Sequence, residues 1–154
     1  MHHVMMHIHH DMVDSAVPCV CTSLRKASRA VTRVYDERLA RHGMTTTQFA
    51  VLRHLVRHGP LSLSRLAELL VMDRTSLYRT LGPIERQGWI AIEQGQGRAK
   101  QAALTAAGRS AMKAAETDWG ACQADLVTAI GPSQWEALAH QLQALVETAR
   151  GKAD

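Results

Sequence analysis

The sequence predicts a mainly α-helical fold carrying one small β-hairpin. Three observations support that prediction. The chain of 154 residues has only 4% aromatic side chains but abundant Ala and Leu, which makes for an aliphatic, helix-favouring core. Apolar residues recur at intervals of three and four over most of its length, the period of amphipathic helices. One interval departs from that period. Trp89-Ile90-Ala91-Ile92-Glu93, then Gln94-Gly95-Gln96-Gly97, then Lys100 to Leu104 reads as two strands around a turn-rich tip. With 46% hydrophobic and 21% charged residues the composition is globular, and the length suits one core.

The elements follow in order. Residues 1–15 are a flexible His/Met-rich leader; such tracts can bind divalent ions, but a fraying terminus is the commoner meaning. Residues 16–45 hold a long N-terminal helix from Val20 to about Arg41. Leu24, Ala27, Val31, Val34 and Leu39 line one side, Arg25, Lys26, Arg29, Arg33 and Arg38 are interleaved, and Gly43 stops it. Thr45 and Gln48 form a capping box for a second helix that buries Phe49, Leu52 and Leu55 and ends at Gly59-Pro60. Ser62 caps a short third helix carrying Leu63, Leu66 and Leu70. Asp73 caps a fourth with Leu77, Leu81 and Ile84 inward, which Pro83 should kink before Gly88 ends it. Residues 106–150 are two further helices separated by Gly131-Pro132, with Ser133 as the second cap. Their stripes are Met112, Ala115, Trp119, Cys122, Leu126 and Ala129, then Trp135, Leu138, Leu142, Leu145 and Ala149. Long amphipathic helices at both ends of so short a chain point to dimerisation.

Residues 46–105 carry the functional constellation. A short helix, a tight turn at Val71-Met72 and a helix from Asp73 have helix-turn-helix spacing, and the hairpin that follows adds a wing. The fold class is therefore a winged helix-turn-helix dimerising through its N- and C-terminal helices. The recognition helix would show Arg74, Thr75, Ser76, Tyr78 and Arg79 to the major groove, with Ser62 beside it, while Arg98 and Lys100 on the wing reach phosphates or the minor groove. From Pro60 to Arg109 there are seven basic residues against four acidic, within a chain of net charge +4 and pI near 9.3. Double-stranded DNA is the expected partner.

Other classes find little support. No run of 18 apolar residues spans a membrane, and the start of the chain lacks a signal-peptide pattern, so a cytoplasmic protein is expected. There are no paired catalytic carboxylates, no phosphate-binding Gly-rich loop and no metal motif, so no enzyme, cofactor or metal is expected. A thiol peroxidase would rest on Cys21 alone. A winged helix used only for protein contacts is the remaining alternative.

Four motifs in order, Gln48-Phe49-Ala50-Val51-Leu52, Ser64-Arg65-Leu66-Ala67-Glu68-Leu69-Leu70, Met72-Asp73-Arg74-Thr75-Ser76-Leu77 and Leu104-Thr105-Ala106-Ala107-Gly108, resemble the MarR family of bacterial winged-helix regulators over residues 19 to 148. The resemblance implies a homodimer on a pseudo-palindromic operator, usually a repressor released by a small molecule or an oxidant. The family wing usually carries Asp-x-Arg; here the triplet is Gln96-Gly97-Arg98, which keeps the Arg and lacks the carboxylate.

Two signals are open. A small aromatic or phenolic effector would sit between the dimer helices and the winged lobe, with Arg25, Tyr35, His42 and Trp119 as wall candidates. Alternatively, Cys21 near the start of the first helix and Tyr35 resemble the organic-hydroperoxide-sensing branch, with Cys122 where two-cysteine members keep a resolving thiol; Cys19 is a further thiol, and Thr46 stands where that branch has a second Tyr. Cys19 and Cys21 with His9 or His10 would make only an incomplete metal site.

Overall fold

The computed structural model describes residues Val17 to Ala153. The His/Met-rich leader, including His9 and His10, lies outside the described residues. Six helices and three strands follow one another: α1 (Val20–Leu39), a 3₁₀ turn (Ala40–His42), α2 (Thr46–His58), β1 (Leu61–Ser62), α3 (Leu63–Leu70), α4 (Arg74–Arg86), β2 (Ile90–Gln94), β3 (Lys100–Leu104), α5 (Ala106–Ile130) and α6 (Pro132–Arg150). The mainly helical fold with a small β wing is thus the one predicted. No described helix is long and apolar enough to cross a membrane.

The described residues divide into two compact units, one ending at Val34 and the other beginning at Tyr35. The first contains most of α1, whose apolar positions Val20, Leu24, Val31 and Val34 are all exposed. The second holds the core. Leu39, Phe49, Val51, Leu52, Leu55, Leu66, Leu77, Leu81, Ile84, Ile90 and Ala102 are buried together, with Met112 and Ala115 of α5 completing the cluster. Each large aliphatic side chain buried there contributes about 1.5–3 kcal/mol over leaving it in water. α6 buries no residue completely, and Leu138 is 40% exposed. Of the α1 stripe only Leu39 is buried, and Trp135, Leu142 and Leu145 of the α6 stripe are half-buried.

Local signals set the helix ends. Thr45 Oγ1 accepts from the Gln48 amide at 3.2 Å while Gln48 Oε1 accepts from the Thr45 amide at 3.0 Å, closing the expected capping box. Ser62 accepts from Arg65 N at 3.1 Å to start α3. Pro83 lies inside α4, which continues to Arg86; the proline deletes a single donor near the end of a helix whose inner face is fully buried. One expectation needs correction. Ser133 is not a cap: Gly131, at φ 101°, is the N-cap of α6 and Pro132 occupies the first turn, where its missing N–H costs nothing. Gly43, left-handed at φ 65°, stops the first helix as expected, after a closing 3₁₀ turn over Ala40–His42.

The wing is also larger than a hairpin. β3 sits at the centre of a three-stranded antiparallel sheet of order β1-β3-β2, pairing Leu61 with Ala102 on one side and Ile92 with Ala102 on the other. A two-residue strand shows no alternation, so β1 leaves no periodic trace in the sequence. The sheet is locked to α5 at its base. Thr105 Oγ1 donates to the Gly88 carbonyl at 2.6 Å and accepts from Gly108 N at 3.0 Å, and Thr105 N donates to Trp89 O at 3.0 Å. Any Cβ on Gly108 would overlap that Trp89 carbonyl, which explains the glycine in the Leu104-Thr105-Ala106-Ala107-Gly108 run.

Candidate nucleic-acid interface

The helix-turn-helix is built by α3, a three-residue turn and α4. Val71 adopts the left-handed conformation (φ 55°) that ends α3, a costly geometry for a β-branched residue. Asp73 then caps α4, its carboxylate accepting from Ser76 N at 2.7 Å and Ser76 Oγ at 3.1 Å. The two Ser76 donors, helped by the charge of Arg79, hold the Asp73 carboxyl below its ordinary range. Ser76 is therefore turned inward to its cap, whereas Thr75, Tyr78 and Arg79 are exposed on the helix's outer face.

Arg74 is steadied from α3. Its Nη2 donates to Ser64 Oγ at 3.1 Å, a contact with no signature in the sequence because Ser64 lies ten residues upstream. Ser62, Leu63, Ser64, Arg74, Tyr78, Arg98, Ala99 and Lys100 together line one concavity of about 290 Å³. Five of the eight residues expected to touch DNA meet there: two cations from the wing, one from α4, and two hydroxyls. Guanidinium and hydroxyl donors around a solvent-open hollow suit a phosphate oxygen.

The wing tip is closed by contacts of its own. Gln94 Nε2 donates to the Gly97 carbonyl at 2.8 Å and Gly95 N to Ala99 O at 2.7 Å, with Gly97 at φ 71°. This closed loop presents Arg98 without an acidic neighbour in the triplet.

Of the four effector candidates, Trp119 lies on α5, and Tyr35 and His42 both contact that helix. The Tyr35 and Trp119 ring centroids lie 6.4 Å apart, and Trp119 stacks on Phe49 at 5.2 Å. Arg53 sits 4.1 Å over the indole, a cation–π contact that sequence reading does not find. Tyr35 donates its hydroxyl to Gln123, and His42 Nε2 meets Asp118 Oδ2 at 2.7 Å, which holds the Asp118 carboxyl low. These side chains largely satisfy one another. Arg25 is exposed on α1.

The cysteines differ sharply. Cys19 and Cys21 are exposed, while Cys122 is buried in the α5 stripe and burial pushes its thiol up. The Cys19 carbonyl accepts from Ser23 N, the first turn of α1, and hydrogen bonds from the Thr22 amide and hydroxyl lower the Cys19 thiol. Thr46, in place of a tyrosine, donates its amide to Asp36 at 2.7 Å. Among the described residues, no group of three or more His, Cys, Asp or Glu could hold a metal ion.

Comparisons with known proteins agree with this geometry. The family model described as MarR family matches residues 42–99. The DNA complex of the Mycobacterium tuberculosis transcriptional regulator MosR is 30% identical, with a TM-score of 0.80 over 87% of this chain and 98% of that one. Overoxidized AbfR bound to DNA is 25% identical (TM-score 0.65, covering 82% and 91%). A mutant MarR from Escherichia coli complexed with operator DNA shares the fold at 18% identity (TM-score 0.73, covering 82% and 92%). No curated protein sequence matches.

Proposed function

Because this chain belongs to the MarR family of winged-helix transcriptional regulators, we propose that it is a repressor that binds a pseudo-palindromic operator as a homodimer. The observation carrying this reading is the basic concavity where Arg74, Arg98 and Lys100 meet beside the exposed first turns of α4. α4 enters the major groove, where Arg79 and Thr75 read base edges. Arg98 and Lys100 hold the backbone from the wing. Residues 16–45 and 106–150 supply the dimer contacts, and two-fold symmetry sets the half-sites about one helical turn, ~10 bp, apart. That MosR, AbfR and a MarR variant were each captured on DNA supports the same partner here.

The test is fluorescence anisotropy on the DNA upstream of the protein's own gene. Arg79→Ala should weaken binding and relax sequence preference, each lost base contact being worth about 1–3 kcal/mol. Arg98→Ala should weaken binding on all sequences and flatten the salt dependence by about one unit of slope. Unchanged affinity in both variants would leave only a protein-contact module.

Release is assigned to a small aromatic or phenolic effector near Tyr35, His42 and Trp119, where indole, phenol and the Arg53 guanidinium already converge. A second reading, release by oxidation, is favoured by the Cys19 thiol at the start of α1 and by the overoxidized state in which AbfR was seen. A thiolate of Cys19 or Cys21 would attack an organic hydroperoxide, breaking its O–O bond to give a cysteine sulfenic acid and an alcohol. A second thiol would then form a disulfide with loss of water. Operator titrations with and without organic hydroperoxide, on the parent and on Cys19→Ser and Cys21→Ser, separate the two signals. A sensor reacts about once per thiol, and sustained turnover of hydroperoxide would mark a peroxidase instead.

A further inference from the structure

Arg25, Arg29 and Arg33 of α1 are spaced four residues apart, so they form a single stripe about 12 Å long. The stripe lies roughly 180° around the helix from Val20, Leu24, Ala27, Val31 and Val34, so it faces away from the apolar dimerisation seam. All three arginines and the adjoining Lys26 are exposed, and among the described residues none has a carboxylate within ion-pair distance. The helix has five basic residues and only two acidic ones, Asp36 and Glu37, and no acid in its first turn. Asp36 is occupied by the Thr46 amide.

This arrangement works against the helix that carries it. Like charges four apart each cost a few tenths of a kcal/mol. A face kept this way against local preference suits a polyanion that offsets the repulsion. The three guanidiniums have the planar double donors that match phosphate oxygens. Three guanidiniums spread over this length can each meet a different phosphate of a duplex, whose charge density is high along its whole length.

We propose that the Arg25-Arg29-Arg33 stripe is a second nucleic-acid surface, binding the phosphate backbone of a duplex without regard to sequence. It goes beyond operator recognition, which uses α4 and the wing.

The test uses the full chain and a labelled 30-bp duplex of mixed sequence lacking the operator, titrated at several salt concentrations. The parent is compared with the Arg25→Gln/Arg29→Gln/Arg33→Gln variant, glutamine being a good helix former. The variant should bind this duplex at least tenfold more weakly at low salt, and its salt slope should fall by about 2.7 per bound protomer, 0.9 for each lost phosphate contact. In an Arg79→Ala/Arg98→Ala background the residual binding should persist and vanish when the stripe is also removed. An unchanged slope and affinity overturns the inference. So does loss of the dimer in sedimentation with no change in slope, which would mean that the stripe pairs with acids of the second copy. The two readings fail separately. Loss on this duplex only in the Arg79→Ala/Arg98→Ala variant sinks the stripe, whereas the operator reading fails only if Arg79→Ala and Arg98→Ala leave the affinity for the operator duplex itself unchanged.

Discussion

At the scale of single residues, two positions carry a cost that the rest of the fold must offset. Val71 holds a left-handed backbone that disfavours a β-branched side chain by about 1–2 kcal/mol, and its side chain is 57% exposed. Asparagine tolerates that conformation without the added chain entropy of glycine. Val71→Asn should therefore raise stability by about 1 kcal/mol, seen as a higher denaturation midpoint with an unchanged m-value. The second position is His54. Its Nδ1 is buried without a partner, and its pKa is lowered from 6.5 first by burial and then by His58, Arg57 and Arg53. Above pH 6.5 both folded and unfolded histidine are neutral and nothing is gained or lost. As pH falls below 6.5 the unfolded chain takes up the proton first, so stability declines until the lower folded value is passed. His54→Leu should flatten this decline, measured as the denaturation midpoint between pH 7 and pH 5. An equally steep slope in the variant would assign the effect to other groups.

At the scale of elements, the join between wing and α5 depends on Thr105 as both cap and crosslink, donating to Gly88 and accepting from Gly108. Thr105→Val keeps the shape but removes both bonds. It should cost about 1–2 kcal/mol and loosen the wing, with faster amide exchange through β2 and β3 as the readout. Element boundaries of this kind were the legible part of the sequence. Thr45, Ser62 and Asp73 announce their helices because a cap acts within three residues, and Leu77, Leu81 and Ile84 announce an inner face because the helical period is local. What sequence does not carry is contact at a distance. β1 has two residues and is defined only by its pairing with Gln101 and Ala102. Ser64 on Arg74, Arg53 over Trp119 and Arg150 donating to the Glu68 carbonyl are joined only by the tertiary fold. Five of the candidate residues could thus be named from the sequence, but the concavity they line could not.

At the scale of the whole molecule, the exposed apolar stripes decide whether the protomer acts alone. Val20, Leu24, Val31 and Val34 on α1, with Ile130 and Leu138 on the last two helices, are each at least 38% exposed. Burying side chains of this size contributes about 1.5–3 kcal/mol apiece, enough for a handful to hold two chains together once the cost of association is met. A carboxylate placed in that seam would have to enter the interface without a partner. Leu24→Asp with Val31→Asp should therefore convert a dimer into a monomer in sedimentation, and make the melting temperature independent of protein concentration. Because an operator of two half-sites is held by two recognition helices, the same variant should lose most of its operator affinity while each α4 remains intact. A single protomer retains only its half-site contacts and the salt-dependent attraction to phosphate. If the double variant stays dimeric, the seam lies on other faces of the terminal helices. If it becomes monomeric yet binds the full operator as tightly as the parent, each lobe works independently and symmetry has no part in recognition.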